Sequence, residues 1–193
     1  LGWDANAPAG TARLAPALPP GWPTAEARRL RIGATLVDAT IVQSTTSLAI
    51  TLRAEGPQVD VTLAPLLPPG AGDVRVAVAG GAASRPAPAG NVGRREVTLR
   101  PGPTPVTARF TWKGGLSPSP ALTQLSPGDR SHGARVTDFG WDGWERTWTL
   151  VVAGVAGSRH EVALYGEPVE VSAGPAAIVR ADGHVTTVAV TLP

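Results

Sequence analysis

Asp138-Phe139-Gly140-Trp141-Asp142-Gly143-Trp144-Glu145-Arg146-Thr147-Trp148 packs three of the chain's six tryptophans and three carboxylates into eleven residues. Exposed indole rings stack on sugar faces, and carboxylates accept sugar hydroxyls. Trp141, Asp142, Trp144, Glu145 and Trp148 are therefore candidate carbohydrate contacts. Two carboxylates flanking a scissile bond also make a glycosidase acid/nucleophile pair, with Asp142 and Glu145 in those roles. The plain alternative is a β-hairpin, because Asp142-Gly143 is a strong turn signal. Trp141 and Trp144 then flank the turn, and Trp148 anchors a core.

Asp129-Arg130-Ser131-His132 contains the three side chains of a hydrolase triad. Sequence neighbours rarely converge in the required geometry, since each member must hydrogen-bond the next in line. No G-x-S-x-G elbow exposes a nucleophile. The segment reads as a polar turn before a strand. His132, His160 and His184 lie in separate segments without metal-ligand spacing, so no metal site is expected. The sequence has no G-x-G-x-x-G, Walker loop or N-x-S/T sequon, and no cofactor is expected.

The totals narrow the classes further. The 193 residues include 23 Gly and 20 Pro with no collagen period, so the chain is cut into short segments. Apolar residues make up 42% and charged residues 17%, which is the balance of a folded chain. Net charge is only +2, and Lys113 is the single lysine among many arginines. The arginines are scattered among carboxylates rather than set in a stripe, which argues against nucleic acid as a partner. Arg-rich, Ala/Pro/Gly-rich usage is associated with GC-rich bacterial genomes. No apolar run is long enough to span a bilayer. Cysteine is absent, which removes disulfides and thiolate chemistry and leaves the compartment undecided. The start at Leu1, without Met or a signal-peptide pattern, is what an excised piece is expected to show.

The elements that must position these residues are strands. Period-2 alternation runs through 34–43, 47–53 (Leu48, Ile50, Leu52), 58–63 (Val59, Val61, Leu63) and 73–79 (Val74, Val76, Val78). It continues at 95–100, 106–112, 134–139, 147–153, 159–165, 169–172 and 184–192. Residues 24–30 have some helical propensity, but their Arg-Leu-Arg-Ile ending favours a strand. Gly, Pro, Ser or Asp interrupts about every ten residues, the pattern of an all-β fold: an antiparallel β-sandwich with little or no helix. One domain over 1–193 is expected: the candidate breaks near 80–92 and 114–132 are read as long loops, because the strands on each side of the first are too few for two independent cores.

One phrase occurs twice. Leu14-Ala15-Pro16-Ala17-Leu18-Pro19-Pro20-Gly21-Trp22 returns as Leu63-Ala64-Pro65-Leu66-Leu67-Pro68-Pro69-Gly70-Ala71. Pro-Pro holds an extended backbone without donors, and Gly permits a tight bend. Each copy is expected to be a corner joining two strands. With Leu1–Gly10 before the first copy and Arg29-Leu30-Arg31-Ile32-Gly33-Ala34 after it, the segment resembles the region following the catalytic barrel in bacterial (α/α)₆-barrel glycoside hydrolases of the glycogen-debranching, amylo-α-1,6-glucosidase-like type. Ser126–Ser131 and Val152–Gly157 are similar to such tails. The resemblance implies a C-terminal β-sandwich packed on a helical barrel that carries the catalytic acid and base. Trp3, Leu14, Leu18 and Trp22 are the candidate barrel-packing surface.

The expectation is a non-catalytic accessory domain of a carbohydrate-active enzyme. Its partners are the (α/α)₆ barrel of the same polypeptide and, through the tryptophan cluster, an oligo- or polysaccharide. Neither nucleic acid nor a membrane is expected as a partner. The alternatives are a free-standing carbohydrate-binding or adhesion module, and a small glycoside hydrolase.

Overall fold

A computed structural model describes residues 2–80, 95–120, 133–167 and 176–193. The expected strand at 169–172, the segment Asp129–His132, the Ser126–Ser131 stretch and most of the 80–92 break lie outside the described residues. Among the described residues every regular element is a strand. The chain divides into two compact units, Leu1–Lys113 and Gly114–Pro193, with the division at the start of the 114–132 segment.

The first unit is a two-sheet sandwich. Its smaller sheet has the order β1 (Trp3–Asn6), β2 (Thr11–Leu14), β6 (Asp60–Leu63), β8 (Val97–Leu99). Its larger sheet has the order β3 (Thr24–Ile32), β4 (Thr35–Gln43), β5 (Ser47–Glu55), β9 (Val106–Gly114), β7 (Ala71–Ala79). Alternation along the strands builds the core between them. Leu48, Ile50 and Leu52 of β5 are buried, as are Val61 and Leu63 of β6 and Val59 just before it. They pack with Leu14, Ile41, Phe110 and Leu99 in one cluster drawn from both sheets. Val74, Val76 and Val78 on the edge strand β7 are half-buried against it. Fully burying one such side chain contributes about 1.5–3 kcal/mol, so this face decides the register of every strand.

Turns follow local chemistry. The hairpin β3–β4 closes through Gly33, at φ 59°, with Ile32 opposite Thr35. β3 is bulged at Arg28-Arg29, where Arg29 has φ 56° and its amide donates to Asp38 Oδ1 at 2.7 Å.

The two Pro-Pro-Gly phrases lie side by side. β2 and β6 are parallel neighbours, paired Leu14 to Leu63, which is also the alignment of the two copies. Pairing continues past the strands: Ala64 N donates to Leu14 O at 2.9 Å and Leu66 N to Pro16 O at 3.3 Å. Both corners close the same way, Trp22 N to Pro19 O at 2.9 Å and Ala71 N to Pro68 O at 3.1 Å. They differ at glycine: Gly70 has φ 75°, and Gly21 is not in the left-handed region. From these adjacent corners the chain leaves for opposite edges of the larger sheet, β3 and β7.

The second unit has one sheet of order β10 (Leu116–Pro120), β13 (Arg159–Gly166), β15 (Val185–Thr191), β14 (Ala176–Asp182), and a two-stranded ribbon of β11 (Arg135–Asp142) and β12 (Thr147–Ala153). Leu116, Val162, Leu164 and Val188 of the sheet are buried, and Val136, Phe139, Trp148, Leu150 and Val152 of the ribbon pack against them.

Candidate functional site

The tryptophan cluster is the β11–β12 hairpin, with Asp142 opposite Thr147 and Trp141 opposite Trp148. The Asp142-Gly143 signal does not form a two-residue turn. The loop is four residues, 143–146, and Arg146 takes the left-handed position at φ 55°. The physical reason is the Asp142 side chain, whose Oδ1 accepts from Trp144 N at 2.8 Å and Glu145 N at 3.1 Å. That Asx-type arrangement extends the loop beyond a tight turn.

The three indoles therefore have different surroundings. Trp141 and Trp148 form a cross-strand pair, ring centroids 4.1 Å apart and tilted by 42°. Trp148 is half-buried on the second core, and its Nε1 is buried without a hydrogen-bond partner. Trp144 stands at the tip, 95% exposed. A flat ring in water on a stiff hairpin suits stacking against a sugar or another flat apolar surface.

Asp142 and Glu145 are both exposed at this tip. A glycosidase acid needs a carboxyl kept protonated by desolvation or a like charge. Both side chains face water here, and Asp142 Oδ1 is already engaged by two backbone amides of its own loop. Among the described residues no group of three or more His, Cys, Asp or Glu converges for a metal.

A second polar pair, Ser158 with His160, has no motif that marks it in the sequence. Ser158 Oγ lies 2.6 Å from His160 Nε2 and is also hydrogen-bonded to Val155 O. Val155 O can only accept, so the serine hydroxyl has an acceptor within its own turn, and the roles of Ser158 and His160 in their contact follow the imidazole tautomer. This is a clip for the 155–158 turn, which Gly157 N also ties to Leu192 O at 3.1 Å.

The proposed barrel-packing residues separate in the same way. Leu14 is fully buried in the first unit's core and offers nothing to a partner. Its alternation places it on the inner face of β2. Trp3 and Leu18 are half-buried against that core. Trp22 is 55% exposed, just past its corner. Leu66, absent from the sequence-based set, is 61% exposed on the second corner. The duplicated phrase was the available signal, since Leu66 stands where the first copy has the exposed Ala17. Gln43 Nε2 donates to Pro19 O at 2.7 Å and Trp22 O at 2.8 Å, which fixes the first corner.

Compared with family models, curated proteins and solved structures, the chain matches none. No helix among the described residues is long and apolar enough to cross a membrane.

Proposed function

We propose that this chain is a non-catalytic accessory β-sandwich module of a carbohydrate-active enzyme, docking on a catalytic helical barrel. The observation that supports this most is the rigid corner region of the first unit. There Trp22 and Leu66 remain largely in water on backbone held by prolines, parallel pairing and the Gln43 clamp. Large apolar side chains on stiff, exposed backbone suit a surface that another domain covers. The link to carbohydrate comes from the resemblance of residues 1–34 and the repeated phrase to post-barrel segments.

The test is turnover by the isolated chain on α-glucans and aryl glycosides. None is expected. Hydrolysis abolished by Asp142→Asn or Glu145→Gln overturns the proposal in favour of a small hydrolase.

A second reading is favoured by Trp144, 95% exposed at the hairpin tip: direct saccharide binding. Affinity electrophoresis in soluble glucans reads it. Retardation lost in Trp144→Ala supports binding through the tip; identical mobility with and without glucan removes this reading.

A further inference from the structure

We propose that β12 is a pairing edge for a second copy of this chain, and that two ribbons join into one continuous four-stranded sheet. Among the described residues the only strand partner of β12 is β11, so its other edge carries a row of backbone donors and acceptors without a ladder. Natural sheets blunt such edges with proline, charge or bulges. The neighbouring edges carry these devices. β10 has Pro118 and Pro120. β11 has Arg135, Asp138 and Asp142, with a register shift between Val136 and Asp138. β14 has a register shift between Ile178 and Arg180. β12 has none: it reads Thr147-Trp148-Thr149-Leu150-Val151-Val152-Ala153, without charge, proline or glycine. Its ladder to β11 runs without a break from Val151 to Thr147.

The occupant is argued from self-complementarity. A neutral strand meets its own copy without like-charge repulsion. Antiparallel pairing about Leu150 sets Leu150 opposite itself, Trp148 opposite Val152 and Thr149 opposite Val151 of the other copy. This register keeps the faces matched. Trp148, Leu150 and Val152, which pack on the second core and are only half-buried, meet on the inner face. Thr149 and the exposed Val151 meet on the outer face. The arrangement is two-fold and closes at a dimer instead of growing into a fibre.

Sedimentation over roughly a hundredfold concentration range tests it. The full chain is expected to show a reversible monomer–dimer equilibrium. Thr149→Lys combined with Val151→Lys places lysines directly opposite each other across the dimer, and should raise the dissociation constant at least about tenfold. Thr149→Glu combined with Val151→Lys places opposite charges there and should restore the dimer. Both positions are on the ribbon's outer face, and an unchanged circular dichroism spectrum checks the fold. A chain monomeric throughout the range overturns the proposal. So does a double-lysine variant that still dimerises, or a Glu/Lys variant that stays monomeric. Trp22→Ser leaves this equilibrium unchanged, so the result is separate from the docking role of the corners.

Discussion

Gln43 holds two carbonyls with one amide, Pro19 O and Trp22 O. Removing both bonds with Gln43→Ala should cost about 1–2 kcal/mol, read as a lower thermal midpoint. Gln43→Glu sets a carboxylate against the same two acceptors. Only its protonated form can donate, so its pKa is raised in the folded state. Stability is then greatest below the unfolded-state value and falls as pH rises through the carboxylate range. Denaturant titrations at acid and neutral pH should show this slope in the variant relative to the parent; equal differences at both pH values would mean that Gln43 does not bond the corner. The guanidinium of Arg100 behaves with the same sign but elsewhere on the scale. Its hydrogen bond to Asp60, Nε to Oδ1 at 2.7 Å, and the charge of that carboxylate raise its pKa. The arginine's contribution is lost only as pH climbs through the arginine range, outside any working pH. Chemistry at this scale was partly legible. Trp141, Asp142, Trp144, Glu145 and Trp148 do gather on one hairpin, but only Trp144 keeps its ring free. Which indole of a cluster is buried depends on what lies under the ribbon, here Leu116, Val162, Leu164 and Val188.

At the scale of elements, alternation located most strands because one face of each must be buried. It did not find β1, β10 or β14. β1 is four residues of which only Trp3 is even half-buried, and β10 contains two prolines, which an edge strand tolerates and a central strand does not. The repeated phrase forecast two corners, yet not that β2 and β6 would be parallel neighbours in the phrase's own register. Pairing partners are a tertiary outcome that alternation does not encode. The corners make a paired prediction. Gly70 has φ 75° and Gly21 does not share it. Alanine in the left-handed region costs about 1–2 kcal/mol, so Gly70→Ala should destabilise by roughly that amount and Gly21→Ala by clearly less. Chemical denaturation of the two variants decides it; equal losses would mean that the two turns have the same backbone form.

At the scale of the molecule, each unit has its own buried core. The first draws on residues from Ala12 to Trp112, the second on residues from Leu116 to Val188. Between them Gly114 and Gly115 both have positive φ, 63° and 81°, and Lys113, the only lysine, is exposed just before them. The one-domain expectation for 1–193 counts strands on each side of 80–92. Among the described residues the division at 113/114 leaves nine strands to the first unit, the last of them ending at Gly114, and six to the second, and an independently stable sheet needs at least three strands with an apolar face. Fragments 1–113 and 114–193 made separately should therefore each unfold cooperatively. The tryptophans divide as reporters: Trp112 is buried in the first unit, and the Trp141–Trp148 pair belongs to the second. The first fragment should keep the blue-shifted emission of a buried indole, and the second the near-ultraviolet dichroism of a coupled aromatic pair. A fragment that shows neither signal, nor a cooperative denaturant transition, would mean that its core forms only in the intact chain.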